Sequence, residues 1–211
     1  MSSTPAPPRR AFLGFTTRSL LICVVLGAAT IALVHLARVV GVLFFGIAPW
    51  LGRPSALIPY FVLLIVAAIL VPHAGSALLA SLVATVGGVG TMALMAGLMV
   101  EIAFLIARAV QRRRRGELAP PDDRSWLWWS IVAGWLVGLN SFALLFTFQE
   151  FLALPAGLML AGLGVRLAAG LVYGWLGWLI VRGLLRAGFD PIGTRKGRRL
   201  TAEEAASGSA S

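Results

Sequence analysis

Residues 71–105 read VPHAGSALLASLVATVGGVGTMALMAGLMVEIAFL, and the fold follows from how this stretch is divided. It is almost wholly apolar, rich in Gly and Ala, and carries one carboxylate, Glu101. At least nine apolar or small residues precede that acid, so it has no short route to water. A charge at bilayer depth is costly and by default marks a function or a buried ion pair. The cluster Gly87-Gly88-Val89-Gly90 interrupts the run, because consecutive glycines favour a turn over a continuous helix. The stretch therefore divides into two spans, residues 76–87 and 91–110, with Pro72-His73-Ala74-Gly75 as the turn that leads in.

The rest of the chain has the same character. Of its 211 residues 59% are hydrophobic and 12% charged, and the mean hydropathy is +0.90. A soluble domain of this size cannot hide that much apolar surface, which makes the chain an all-α polytopic membrane protein with room for about six spans of roughly 20 residues. Cys23 is the single cysteine, which excludes an intramolecular disulfide and a cysteine-cluster metal site. The net charge of +10 gathers at the ends of apolar runs. That placement suits topology signals and anchors to anionic lipid, not a nucleic-acid surface.

Outward from the central stretch, residues 19–40 form the first span. Ala28 and Ala32 stand four apart in it with Gly27 beside them, a small-xxx-small spacing that lets another helix approach closely. Residues 41–55 are apolar but broken by Gly46, Pro49, Gly52 and Pro54, which predicts an interfacial or re-entrant loop. The second span covers residues 56–71. Arg112 to Arg115 and Glu117 to Arg124 read as the long polar loop. The fifth span, residues 126–148, opens on an aromatic belt of Trp126, Trp128 and Trp129. The sixth covers residues 156–185. Residues 1–18 and 190–211 read as disordered cytoplasmic tails, leaving 19–189 as one six-helix transmembrane substrate-binding domain.

Charge sets the orientation. Arg9, Arg10 and Arg18, then Arg108, Arg112 to Arg115 and Arg124, then Arg182, Arg186, Arg195, Lys196, Arg198 and Arg199 hold fifteen of the 18 Lys+Arg. All three groups share one side if six transmembrane helices leave both termini cytoplasmic. Counted from the outer helix ends, Glu101 and Arg166 then fall at similar depth, either lining a pocket open to the outside or forming a structural ion pair. Gly97, one turn outward of Glu101, leaves room above the carboxylate. Asn140, Ser141 and His35 fall in the outer halves of their spans. Gln149 and Glu150 stand at the outer mouth, and Trp135 either stacks on a flat ligand or faces lipid. Gly162, Arg166, Gly170 and Gly174 form a helix-packing row. No nucleophile–base set, zinc motif or phosphate loop is present, so the chain reads as a non-enzyme without cofactor.

Residues 72–84 (PHAGSALLASLVA), 97–104 (GLMVEIAF), 165–170 (VRLAAG) and 184–189 (LLRAGF) occur in an order and spacing that resembles the substrate-binding (S) components of energy-coupling-factor (ECF) vitamin transporters. The resemblance is nearest to the YkoE-like branch, associated with thiamine and its hydroxymethylpyrimidine precursor, and spans residues 19–189. It implies six helices and an outward pocket capped by the loop after the first helix. It also implies docking of a transmembrane coupling subunit on Ala28 and Ala32, and ATP hydrolysis in two separate ATPase subunits. A thiamine-like cargo is cationic, and its aminopyrimidine could meet Glu101 and an aromatic face. The other reading of the residues is a membrane scaffold or assembly protein with no small ligand.

Overall fold

The computed structural model describes residues 15–45, 61–116, 118–121, 123–146 and 149–189. Among them every regular element is helical: α1 (Thr17–Phe45), α2 (Val62–Leu70), α3 (Ser76–Ala84) continuing into a π-turn at Thr85–Val89, α4 (Thr91–Arg115), α5 (Ser125–Leu145), α6 (Gln149–Leu152) and α7 (Ala156–Arg186). α1, α4, α5 and α7 are long and apolar enough to cross a membrane, as in a polytopic membrane protein. α2 has nine described residues, a rise of about 14 Å against a hydrocarbon core of about 30 Å.

α2 sits at the centre. Val62 and the run Leu64 to Leu70 are buried, as befits a helix that is apolar on every side. α1, α3, α4, α5 and α7 pack around it. α1 turns Ser19, Cys23, Gly27, Thr30, Val34 and Ala37 inward. Their spacing of three and four residues is that of one helix face. Gly27 lets α1 lie directly on α3, where a Cβ would meet the Ala80 carbonyl and the Val83 side chain.

α5 and α7 form the tightest seam. Ser130, Gly134 and Gly138 face Gly174, Gly170 and Arg166 in antiparallel register, with backbone against backbone. A Cβ on Gly134 would overlap the Gly170 carbonyl, and one on Gly174 the Ser130 carbonyl. Small residues at four-residue spacing on both partners permit this approach, so the row expected on the last span does pack a helix. α2 runs parallel to α7, with Phe61 edge-on to Tyr173 at 5.0 Å and Ile65 against Gly177.

Several boundaries differ from the sequence expectations. Thr17 and Arg18 of the expected tail already belong to α1. α1 also continues through residues 41–45, since a single glycine, Gly41, is tolerated inside an apolar helix; the remainder of the expected loop lies outside the described residues. Arg112 to Arg115 complete α4 instead of opening a loop. Arginine is a good helix former, and cations at a helix C-terminus complement its dipole. The helix stops at Gly116, whose φ of 75° makes a left-handed cap. α3 ends three residues early in the π-turn, where Gly88 (φ 88°) and Gly90 (φ 93°) supply the positive φ that reverses the chain. α5 ends at Leu145, and α6 is a short element that the sequence did not announce. The expected tails at 1–14 and 190–211 lie outside the described residues.

Cross-contacts show which helix ends lie together. The Phe15 ring meets His73 at 5.4 Å, and Arg18 lies 6.0 Å from the centre of the Phe189 ring. The Gln111 amide donates to Ser125 Oγ at 3.2 Å, and the Arg108 guanidinium donates to the Ala68 carbonyl at 3.2 Å. The start of α1, the α2–α3 turn, the α4–α5 connection and the end of α7 therefore share one end of the bundle.

Candidate functional site

Glu101 is 2% exposed and Arg108 5%. The two stand seven residues apart on α4, and Arg108 Nη1 donates to Glu101 Oε1 at 3.2 Å. Seven residues are two helical turns, so both occupy one face. A helical side chain leans toward the N-terminus of its helix, which carries the arginine back to the acid. The other carboxylate oxygen, Oε2, accepts the Ala77 backbone N–H at 3.0 Å. Ala77 is the second residue of α3, and the residue before that helix, Gly75 at φ 90°, offers no side-chain cap. Glu101 thus serves as the missing cap from another helix, placing a negative charge at the positive end of α3.

This corrects the expected pairing of Glu101 with Arg166. Trp126 of α5 stacks on Phe104 of α4 at 5.6 Å, which sets Glu101 level with about residue 129 of α5, whereas Arg166 lies against Gly138. Nine residues of helix separate those levels by about 13 Å. Helix ends do not give these depths, because α7 has 31 residues and α4 has 25, and their outer ends are not level. Gly97 is corrected as well. The space beside it is filled by the Ser81 side chain and the Ala77 carbonyl, so its missing side chain admits α3 and not a ligand.

The remaining candidates divide between the interior and the outward faces. Arg166 is 3% exposed, and its Nη1 donates to the Ser141 carbonyl at 3.1 Å and to Ser141 Oγ at 2.9 Å. Gly162, one turn away toward the helix start, is buried, yet a Cβ there would meet no atom of a described residue within 4 Å. Asn140 is half-buried. It continues the Trp126–Ala133 stripe of α5, which faces α4 through the Trp126–Phe104 stack. Glu150 stands in α6. Trp135, 44% exposed, belongs with Trp128, Val132 and Leu139 to an outward apolar stripe. His35 is exposed on the same outward face of α1 as Ala28 and Ala32. The structure therefore gathers Arg166, Ser141 and Asn140 near one level and leaves Glu101, His35 and Trp135 apart from them. The sequence did carry a signal for the Arg108 partnership: an acid and an arginine at i and i+7 on one apolar helix.

The backbone as a whole matches a known one. A crystal structure described as an S-component of an ECF transporter superposes with a TM-score of 0.68, covering 94% of this chain and 99% of that chain at 21% identity. At that identity the likeness is one of fold. Neither a protein-family model nor a curated protein matches the chain. In this chain α1 of that helix bundle presents Ala28 and Ala32 on its outer surface, and the α5–α7 seam holds the buried guanidinium of Arg166.

Proposed function

We propose that this chain is the membrane-embedded substrate-binding subunit of an ECF-type importer, working with a transmembrane coupling subunit and two ATPase subunits. The observation that carries this reading is the likeness to an S-component over nearly the full length of both chains. In this reading the protein is multi-pass in the cell membrane. The arginine-rich end, with both termini, faces the cytoplasm. The span expected at residues 56–71, and α3 crossing with its π-turn, complete six spans. Ala28 and Ala32, exposed on α1, are the surface that meets the coupling subunit.

The cargo is a small vitamin or vitamin precursor, with thiamine and hydroxymethylpyrimidine first among the candidates on the sequence pattern. Because the Glu101 carboxylate is engaged by Arg108 and Ala77, cargo contacts are assigned to the outer half of the α5–α7 seam. Arg166 and Ser141 are the groups in that seam, with Asn140 at the same level on the α4-facing side of α5 and Glu150 close in sequence to its mouth.

Equilibrium binding to the purified protein, read by tryptophan fluorescence against a vitamin panel, tests the assignment. Arg166→Gln should weaken cargo at least tenfold, about 1.4 kcal/mol, whereas Glu101→Gln should reduce stability and leave affinity in the folded fraction unchanged. Absence of binding to every panel member would reject the reading and favour the scaffold role.

A further inference from the structure

The arginine-rich end of the bundle has a definite geometry. From Thr91 to Gln111, α4 rises about 30 Å, the thickness of a bilayer's hydrocarbon core. The next residues, Arg112, Arg113 and Arg114, are all exposed. At 100° per residue their side chains fan around more than half of the helix. With α4 spanning the core, these guanidinium groups stand at the level of the lipid phosphates.

The neighbouring start of α5 is held against this turn. Gln111 donates to Ser125 Oγ and accepts the Ala119 N–H at 3.2 Å. Trp126 Nε1 donates to the Ala119 and Pro120 carbonyls. That clasp brings in exposed Arg124 and Trp128, which is 70% exposed and suited to the headgroup layer. Among the described residues no acidic side chain pairs with Arg112, Arg113 or Arg114, and Asp123 accepts the Ser125 N–H at 2.7 Å. Arg18 and Arg186 are exposed at the same end.

We propose that Arg112, Arg113 and Arg114, with Arg124 and Trp128 at the adjoining start of α5, form a binding surface for anionic phospholipid headgroups. Guanidinium groups bind phosphate through paired hydrogen bonds. A zwitterionic lipid carries its own cation beside the phosphate, so a segment with five arginines (Arg112 to Arg115 and Arg124) against three acids (Glu117, Asp122 and Asp123) favours a headgroup that lacks one. The proposal is independent of the transport reading, since it concerns the other end of the bundle from the α5–α7 site.

Native mass spectrometry of the detergent-purified chain with phosphatidylglycerol, cardiolipin and phosphatidylcholine tests it. Wild type should favour both anionic lipids over phosphatidylcholine by about tenfold, in keeping with attraction that sums over several juxtamembrane cations. The triple variant Arg112→Gln/Arg113→Gln/Arg114→Gln should lose most of that preference. The corresponding triple Lys variant should keep most of it, and Arg38→Gln, at the other end, should keep all of it. Raising ammonium acetate from about 0.05 M to about 0.5 M should lower the wild-type preference severalfold, because the screening length shrinks. Equal binding of the three lipids by wild type, a preference indifferent to salt, or full preference in the triple Gln variant would overturn the proposal. So would nucleic acid that co-purifies with wild type and is lost from that variant.

Discussion

Glu101→Gln is the most informative single substitution. Glutamine keeps the length of the side chain, and its oxygen can still accept the Ala77 N–H, so the cap on α3 survives. What disappears is the charge opposite Arg108, whose guanidinium stays 5% exposed with the Ala68 carbonyl as its remaining acceptor. Removing one member of a buried pair typically costs about 3–5 kcal/mol, because the other charge is left uncompensated. For a chain of this size 1 kcal/mol moves the midpoint by about 2–4 °C, so a Tm lower by about 10 °C is expected. Cys23, the single cysteine, is fully buried. A thiol-reactive fluorophore therefore reports unfolding in detergent without an introduced cysteine. Adding Arg108→Met should restore at least half of the lost Tm, because the double variant removes both charges. A Tm within about 2 °C of wild type for Glu101→Gln, or a double variant no better than the single one, would refute the ion-pair argument.

Other substitutions probe other joints. Gly134→Leu should abolish monodisperse protein in size-exclusion chromatography, since even a Cβ there overlaps the Gly170 carbonyl; Val132→Leu on the outward stripe should leave the elution profile unchanged. Gln111→Ala removes the partner of both Ser125 and Ala119 and should lower Tm by about 5 °C, from about 1–2 kcal/mol of lost hydrogen bonding. Gly75→Ala meets no neighbour within 4 Å, so it isolates the strain of φ 90°; a loss of about 1 kcal/mol is expected in thermal unfolding. Ala32→Trp, on an exposed position, should leave Tm unchanged and, under the proposed function, block co-purification with a coupling subunit.

By itself the sequence determined the class and the helix content. Hydropathy far above that of soluble domains dictates a membrane bundle. The glycines at 87–90 separate two helices because they alone accept the positive φ of the reversal, and the four-residue row on the last span marks a close helix contact. These features are local: each is a property of one segment and its solvent. The partner of Glu101 is less legible although it lies on the same helix, because Arg108 also belongs to the basic flank and helix ends do not give the levels of Glu101 and Arg166. Only the tertiary structure decided those levels, since the α5–α7 backbone contact and the Phe104–Trp126 stack fix how far each helix slides along its neighbour. That sliding is set by side-chain interlocking across helices distant in sequence, so it placed the buried acid against α3 and the buried guanidinium of Arg166 about 13 Å away along the bundle.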